Sequence, residues 1–239
     1  MKNLEMLASV AKGLGTLKDE VVFVGGATIE LYLAGPPALK VRATDDVDCV
    51  VEVTTRTDYH KLEERLRALK FQHPLDTKGP ICRWEYQGIL VDVMPMEGAV
   101  LGFTNRWYPE GFEHAVSVRL PDGQEIEIFS LPYLVASKLE AFKDRGRNDF
   151  MGSSDMEDIV TILDGAEDFS AQIATAPQNV KSYLQKQFRG LLSDERFLDG
   201  LEGSLPPASG PGRATRARSI LETIAAEHDK RQLPNKSDL

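Results

Sequence analysis

Short apolar runs in the first half of the chain predict β-strands. These runs are rich in β-branched and aromatic residues and are bounded by glycine, proline or polar residues. The predicted strands are residues 21–24, 47–53, 81–86, 89–94, 116–120 and 125–129. Gln87-Gly88 predicts a tight hairpin between two of these strands, and Pro121-Asp122-Gly123 predicts another.

Apolar residues at helical spacing predict helices, which take over from residue 131 onward. The predicted helices are residues 4–14, 27–34, 58–69, 131–143, 155–163, 178–192 and 216–228. We therefore predict an α/β (α+β) fold in two parts. A first domain, residues 1–130, has a mixed sheet with helices, and a second domain, residues 131–239, is mainly helical. Proline, glycine and serine are concentrated at residues 204–212, which predicts a loop or linker.

The composition is typical of a globular protein with a substantial core, since 42% of the 239 residues are hydrophobic. The formal net charge of −9 disfavours a protein that coats nucleic acid, because such binding needs many lysine and arginine contacts to phosphates. A local basic patch remains compatible with this charge. Arg213, Arg216 and Arg218 form one small basic cluster, which its flexible neighbourhood predicts to be a solvated run.

The cysteines and the N-terminus favour a cytoplasmic protein. Cys49 and Cys82 are the two cysteines of the chain, and both lie in predicted strands, where they are expected to be small buried residues in a reducing compartment. The first residues lack the layout of a signal peptide, and no apolar run approaches the roughly 18–20 residues of a membrane span. No membrane partner is therefore expected.

The candidate chemistry lies at a glycine turn and on two strands. Gly25 and Gly26 follow the strand at residues 21–24, and Asp46 and Asp48 open the next one. The two-residue period of a strand places both carboxylates on one face, with their Cα atoms about 7 Å apart. Asp92 stands alone among the residues of a later apolar strand, on the face opposite Ile89, Val91 and Val93. Three carboxylates on neighbouring strands are suited to divalent metal ions, and a glycine turn allows close approach of phosphates.

These residues resemble the polymerase-β-like nucleotidyltransferase superfamily and, within it, the AbiEii/AbiGii toxin family. The resemblance is carried by the turn Gly25-Gly26-Ala27-Thr28, by the strand from Arg42 through Thr44 to Asp46 and Asp48, and by Asp92. The common Gly-Ser turn of the superfamily is Gly-Gly here, so the serine hydroxyl is missing. Thr28 is the candidate replacement.

A second block of the same family resembles the segment from Lys138 through Arg145 to Asp155 and Asp158. Lys138 lies on an apolar stripe of its predicted helix, which is unusual unless the side chain faces a site. Asp155 and Asp158 are rival candidates for the downstream acid. The alternative for both is a helical role, because residues 154–157 fit a capping box and acids in a first turn complement the helix dipole.

The resemblance implies a metal-dependent nucleotidyltransferase that uses Mg²⁺ or Mn²⁺ and a nucleoside triphosphate. The acceptor would be tRNA or a protein, in a toxin–antitoxin or phage-defence setting with an antitoxin partner. Two alternatives stay open: transfer to a small antibiotic-type molecule, and a nucleotide-binding module without catalysis. The implied roles are catalytic for Asp46, Asp48, Asp92 and Lys138, metal-binding for Asp46, Asp48 and Asp92, and nucleotide-binding for Gly25, Gly26, Thr28, Arg42, Lys138, Asp155 and Asp158.

Overall fold

The computed structural model describes residues 2–34, 41–75, 79–205 and 212–226. Within these residues the chain forms α-helices, β-strands and two short 3₁₀ helices, Gly15–Glu20 and Gly26–Tyr32. The strands are β1 (Val21–Val24), β2 (Asp46–Val51), β3 (Arg83–Tyr86), β4 (Ile89–Pro95), β5 (Ala115–Arg119) and β6 (Glu125–Phe129). The α-helices are α1 (Asn3–Leu14), α2 (Arg56–Ala68), α3 (Gly98–Leu101), α4 (Tyr108–Glu113), α5 (Leu131–Arg145), α6 (Ser154–Gly165), α7 (Phe169–Thr175), α8 (Gln178–Leu192), α9 (Glu195–Ser204) and α10 (Arg213–Ala226).

The six strands form one mixed sheet in the order β3-β4-β2-β1-β6-β5. β2 is parallel to β4, and β1 is parallel to β6, whereas β1 and β2 are antiparallel. The two outer pairs, β3–β4 and β5–β6, are antiparallel. This mixed sheet with many helices confirms the predicted α/β fold class.

Turn chemistry fixes both outer hairpins. Gln87 and Gly88 have φ values of 51° and 79°, and positive φ at both central residues is what a type I′ turn requires. In the other hairpin Gly123 has a φ of 90°, and its N–H donates to the Leu120 carbonyl at 2.9 Å. Both predicted hairpins are therefore confirmed.

Two hydrophobic clusters cover the two faces of the sheet. Val22, Val24 and Val50 pack on one face against α5, α6 and the later helices. Val21 and Phe23 point to the other face and pack there with α1 and α2. Because β1 is buried on both faces, its sequence is a continuous apolar run and does not alternate between apolar and polar residues. The helices after residue 131 thus share a core with the sheet, and the division into two domains near residue 130 stays a prediction.

Some elements differ from the sequence prediction. The helix predicted at residues 27–34 is the 3₁₀ helix Gly26–Tyr32, in which the Thr28 N–H and hydroxyl both donate to the Gly25 carbonyl and tighten the turn. The third predicted strand begins at Arg83 rather than at residue 81, and the last predicted helix begins at Arg213 rather than at residue 216. The sequence prediction missed α3, α4 and α7, which have at most seven residues and are too short for a clear period, and it also missed the ten-residue α9.

Parts of two predicted segments lie outside the described residues. These are most of the linker at residues 204–212 and the end of the helix at residues 216–228. Among the helices that are described, none has the length and apolar character needed to cross a membrane.

A buried ion pair joins α10 to α6. The Arg213 Nε donates to Asp164 Oδ1 at 3.0 Å, and Nη2 of the same guanidinium contacts Oδ2. The Asp164 side chain is 5% exposed and the Arg213 side chain 10%. The prediction of a solvated basic run is therefore wrong for Arg213, because the acid that pairs with it comes from a helix distant in sequence. Arg216 and Arg218 are exposed.

We expect Arg213→Met to lower the free energy of unfolding by about 3 kcal/mol, because the buried Asp164 carboxylate would keep only the weaker contact to Arg216. The matched control is Arg218→Met, which removes the same charge from an exposed i,i+4 pair with Glu222 on the same helix. Urea denaturation of both variants measures the difference. Equal small losses would show that the α6–α10 pair does not hold α10 in place.

Candidate metal centre

Strand register brings three carboxylates to one place on the sheet. Asp46 and Asp48 lie on the same face of β2, and the parallel pairing with β4 puts Asp92 directly beside Asp48. Carboxylate oxygens of Asp46, Asp48 and Asp92 all lie within 4.8 Å of one another. The predicted convergence of these acids, here called the acidic triad, is confirmed.

The glycine turn closes against the acidic triad. β1 ends at Val24, which pairs with Asp48, so Gly25 follows directly beside the Asp48 side chain. Gly25 has a φ of 81°, and a Cβ at this position would overlap the Asp48 carboxylate. At Gly26 a Cβ would lie 2.9 Å from Nη2 of Arg42. Gly25 is therefore required by both its φ and its contact, whereas a side chain at Gly26 would need only the end of Arg42 to move.

The Asp48 carboxylate is electrostatically strained. Burial and the charges of Asp46 and Asp92 raise its pKa, and Lys138 and Arg145 oppose the shift, so that the pKa is about 7. No hydrogen bond to this carboxylate is found among the described residues. A cation bound beside the Asp48 carboxylate would therefore stabilise its charged form.

Arg83 is a site residue that the sequence analysis missed. It lies on β3 directly opposite Asp92. Its Nε donates to Asp92 Oδ1 at 2.8 Å, and its Nη2 donates to Asp92 Oδ2 at 2.7 Å and to Asp46 Oδ2 at 3.0 Å. The hairpin at Gln87-Gly88 contained the signal, since a two-residue turn pairs residue 86 with 89 and therefore 83 with 92.

Lys138 is held by Asp155 and Asp158 behind the acidic triad. Its ammonium lies 2.7 Å from Asp158 Oδ2 and 3.2 Å from Asp155 Oδ1, and the lysine is 7% exposed. Burial would lower the pKa of Lys138, but the two carboxylates outweigh it and hold the pKa above its usual value. Lys138 is therefore charged, and its charge faces Asp48 as well.

Arg145 completes this group by a two-point contact to Asp155, at 2.8 and 2.9 Å. Burial would raise the pKa of Asp155, but hydrogen bonds from Arg145 and the charge of Lys138 hold it below its usual value. The α6 helix has Ser153 as its N-cap without a side-chain capping bond, so the capping-box alternative for Asp155 is wrong. Both acids instead position cations.

The remaining predicted residues surround the turn. Arg42 lines the cavity described below and lies 3.4 Å from Asp158 Oδ2, and Thr44 donates to Asp46 Oδ1 at 2.8 Å. Thr28 is fully buried, with its hydroxyl on the Gly25 carbonyl. Among the described residues, Thr28 and Asp158 are not part of the cavity wall. Nucleotide contact by either of them stays a prediction.

All three acids of the triad open into a cavity of about 850 Å³. Its wall on the sheet side includes Gly25, Gly26 and Arg83, and its wall on the helix side includes Lys138 and Arg145. Another side is closed by a loop that the sequence analysis did not single out, with Phe103, Asn105 and Arg106, and by Tyr108 at the start of α4. Asn105 fastens this loop to α5 by donating to the Ser137 carbonyl at 2.9 Å. The cavity is large enough for a drug-sized or nucleotide-sized ligand.

Three features of this site fit a divalent cation. The donor set consists of carboxylate oxygens, which Mg²⁺ and Mn²⁺ prefer. A guanidinium already stands between two of the acids, which shows that a cation is accommodated there. The glycine turn leaves the Asp48 carboxylate open where a side chain would cover it.

A search of protein-family models finds no match to this chain, and a search of curated proteins finds none either.

In metal-free buffer, Asp48→Asn should stabilise the protein at pH 8 and have little effect near pH 4. The folded-state pKa of about 7 lies above the unfolded value of about 4, so Asp48 destabilises the fold increasingly as pH rises through this window. The gain at pH 8 is expected to be on the order of 2–4 kcal/mol. Denaturant titrations with a chelator at several pH values measure it.

Asp19→Asn is the control, because it removes a carboxylate charge from an exposed surface position. A stability difference between wild type and Asp48→Asn that stays constant from pH 4 to pH 8 would contradict the strained state of Asp48.

Proposed function

We propose that this protein is a metal-dependent nucleotidyltransferase that moves a nucleoside monophosphate from a nucleoside triphosphate to an acceptor hydroxyl. One observation carries the proposal: three carboxylates on adjacent strands converge beside a glycine turn and open into a cavity with a cationic far wall. The resemblance to the AbiEii/AbiGii toxin family, seen in the same residues, supports it. Mg²⁺ or Mn²⁺ held by Asp46, Asp48 and Asp92 would supply charge neutralisation at the triphosphate and lower the pKa of the attacking hydroxyl.

The residues of the chain divide the binding of a triphosphate between them. The bare backbone at Gly25 and Gly26 allows phosphate oxygens to come close, as no Cβ intervenes. Arg42, Lys138 and Arg145 line the same cavity and supply positive charge against the phosphates. Asp155 and Asp158 hold Lys138 in position, so their role in our proposal is to orient the lysine.

In the transfer step the acceptor oxygen forms a bond to the α-phosphorus, and the bond from that phosphorus to the β-phosphate oxygen breaks. Pyrophosphate leaves with the electron pair, and Lys138 compensates its charge. The hydroxyl proton goes to a carboxylate. Asp48 and Asp92 are both candidates for this proton, since each lies in the acidic triad.

A protein acceptor is favoured over tRNA, because the chain is acidic overall and two of its arginines are already paired with aspartates. The net charge is −9, Arg213 is consumed by Asp164, and Arg145 is paired with Asp155. A toxin or phage-defence role, with an antitoxin partner, belongs to this proposal through the family resemblance alone.

Transfer to a cationic small molecule is the second candidate. Glu140 and Asp144 of α5 line the cavity and give part of its wall an acidic character. An aminoglycoside-type acceptor carries several ammonium groups and would be attracted there. The positive charge of Arg106 in the same wall would disfavour binding of such a cationic acceptor. A catalytically inactive module is disfavoured, because all three acids of the triad are present and converge.

We expect Asp48→Asn to abolish transfer while leaving the protein folded. The test incubates protein, Mg²⁺ or Mn²⁺, and α-³²P-labelled nucleoside triphosphates with a cell extract, and then follows label in macromolecules. Asp19→Asn is the control of equal charge change and should label as wild type does. Equal labelling by wild type and Asp48→Asn would refute the assignment of the acidic triad.

The labelled product should be sensitive to protease and resistant to ribonuclease, and the labelling should depend only weakly on salt. A tRNA acceptor would behave in the opposite way, since each phosphate contact releases counterions and binding falls steeply as salt rises. Digestion of the product at two ionic strengths separates these acceptors. A labelled small molecule distinct from the nucleoside triphosphate and its hydrolysis products would instead support the second candidate.

A further inference from the structure

Arg83 bridges two of the three carboxylates that would hold a divalent ion. Its guanidinium holds both oxygens of Asp92 and one oxygen of Asp46, at 2.7–3.0 Å. The two-point contact to Asp92 uses the planar fork of arginine, which matches a carboxylate and fixes the geometry. Two of the three acids are therefore already engaged in the protein as described.

This contact cannot be released by loss of a proton. An arginine side chain stays protonated in proteins, and here the hydrogen bonds from Arg83 to Asp92 raise its pKa further. The positive charge is thus permanent, and only movement of the side chain removes it. The Arg83 side chain is 24% exposed and lies at the cavity wall, so there is room for such movement.

A guanidinium and a divalent ion compete for these oxygens. Both carry positive charge, and their repulsion at hydrogen-bond distances is strong in a partly buried site. Without any cation, however, three carboxylates within 4.8 Å would repel one another. Arg83 relieves that repulsion, at the cost of competing with the metal.

We propose that Arg83 is a resident counter-cation that holds Asp46 and Asp92 in the metal-free protein and that a divalent ion binds by displacing it. The inference rests on the proposed function, because it assumes that the acidic triad is a metal site. Asp48 takes no part in the contact with Arg83, so it remains open for the first contact with the ion. The displaced guanidinium stays in the cavity wall.

Competition of this kind lowers the apparent affinity for metal by the fraction of molecules in which the site is free. Removal of the Arg83 charge is therefore expected to strengthen Mn²⁺ binding by roughly 10- to 100-fold, the range of a charge-assisted hydrogen bond to a carboxylate. It should also lower the thermal stability of the metal-free protein. Saturating Mn²⁺ should restore that stability.

The experiment titrates MnCl₂ into wild type, Arg83→Met and Arg83→Gln by calorimetry, after circular dichroism has checked the fold of each. Arg119→Met is the control, since it removes an arginine from a cross-strand pair with Glu125 in the other hairpin. Arg83→Gln keeps a neutral donor beside Asp92 and decides the question if Arg83→Met does not fold. Tighter Mn²⁺ binding in both Arg83 variants, with Arg119→Met equal to wild type, is the expected result.

The possible failures point to different causes. The displacement is overturned if the Arg83 variants bind Mn²⁺ with an affinity equal to or weaker than that of wild type. In that case the proposed metal site still stands if wild type binds Mn²⁺ and Asp48→Asn abolishes this binding. Absence of Mn²⁺ binding in all folded proteins overturns both proposals together. A gain of affinity would not arise from structural damage, so it reports on removal of the Arg83 charge from the site.

Discussion

The mutual repulsion of three carboxylates governs the centre of this molecule. The register of β2 and β4 brings together the side chains of Asp46, Asp48 and Asp92. The surrounding protein excludes part of the water that would otherwise hydrate these carboxylates. The repulsion is relieved differently at each carboxylate. Asp92 is held at two points by Arg83, Asp46 shares that guanidinium and accepts from Thr44, and Asp48 shifts its pKa upward.

Two groups of cations oppose this repulsion, one in direct contact with the acids and one farther away. Arg83 touches the acids directly from the neighbouring strand. Lys138 and Arg145 act from α5, and they are themselves fixed by two acids of α6. Because α5 and α6 pack on the sheet through the shared core, the electrostatic balance of the site depends on that packing. The helices after residue 131 are in this sense part of the site.

Much of the sheet and its acids could be predicted from the sequence, because strands, type I′ turns and strand faces follow from local patterns. The convergence of Asp46, Asp48 and Asp92 needed only the two-residue period and a neighbouring strand. The partners of the charges could not be predicted in the same way. The pairing of Lys138 with Asp155 and Asp158, and of Arg213 with Asp164, depends on how helices pack in three dimensions, which no local period encodes. The 3₁₀ form of Gly26–Tyr32 depends on the Thr28 hydroxyl bonding back to Gly25.

The two-residue loop at Gln87-Gly88 makes the length of the chain there as important as its composition. Successive side chains of a strand point to opposite faces, so one inserted or deleted residue in the loop would bring Cys82 or Trp84 opposite Asp92. Arg83 would then turn toward the buried face, where Trp84 now lies fully enclosed. Point substitutions of Gln87 leave this alignment intact, whereas a change of loop length disconnects the arginine from both acids at once. Homologous chains that keep the arginine should therefore vary in the identity of the loop residues but not in their number.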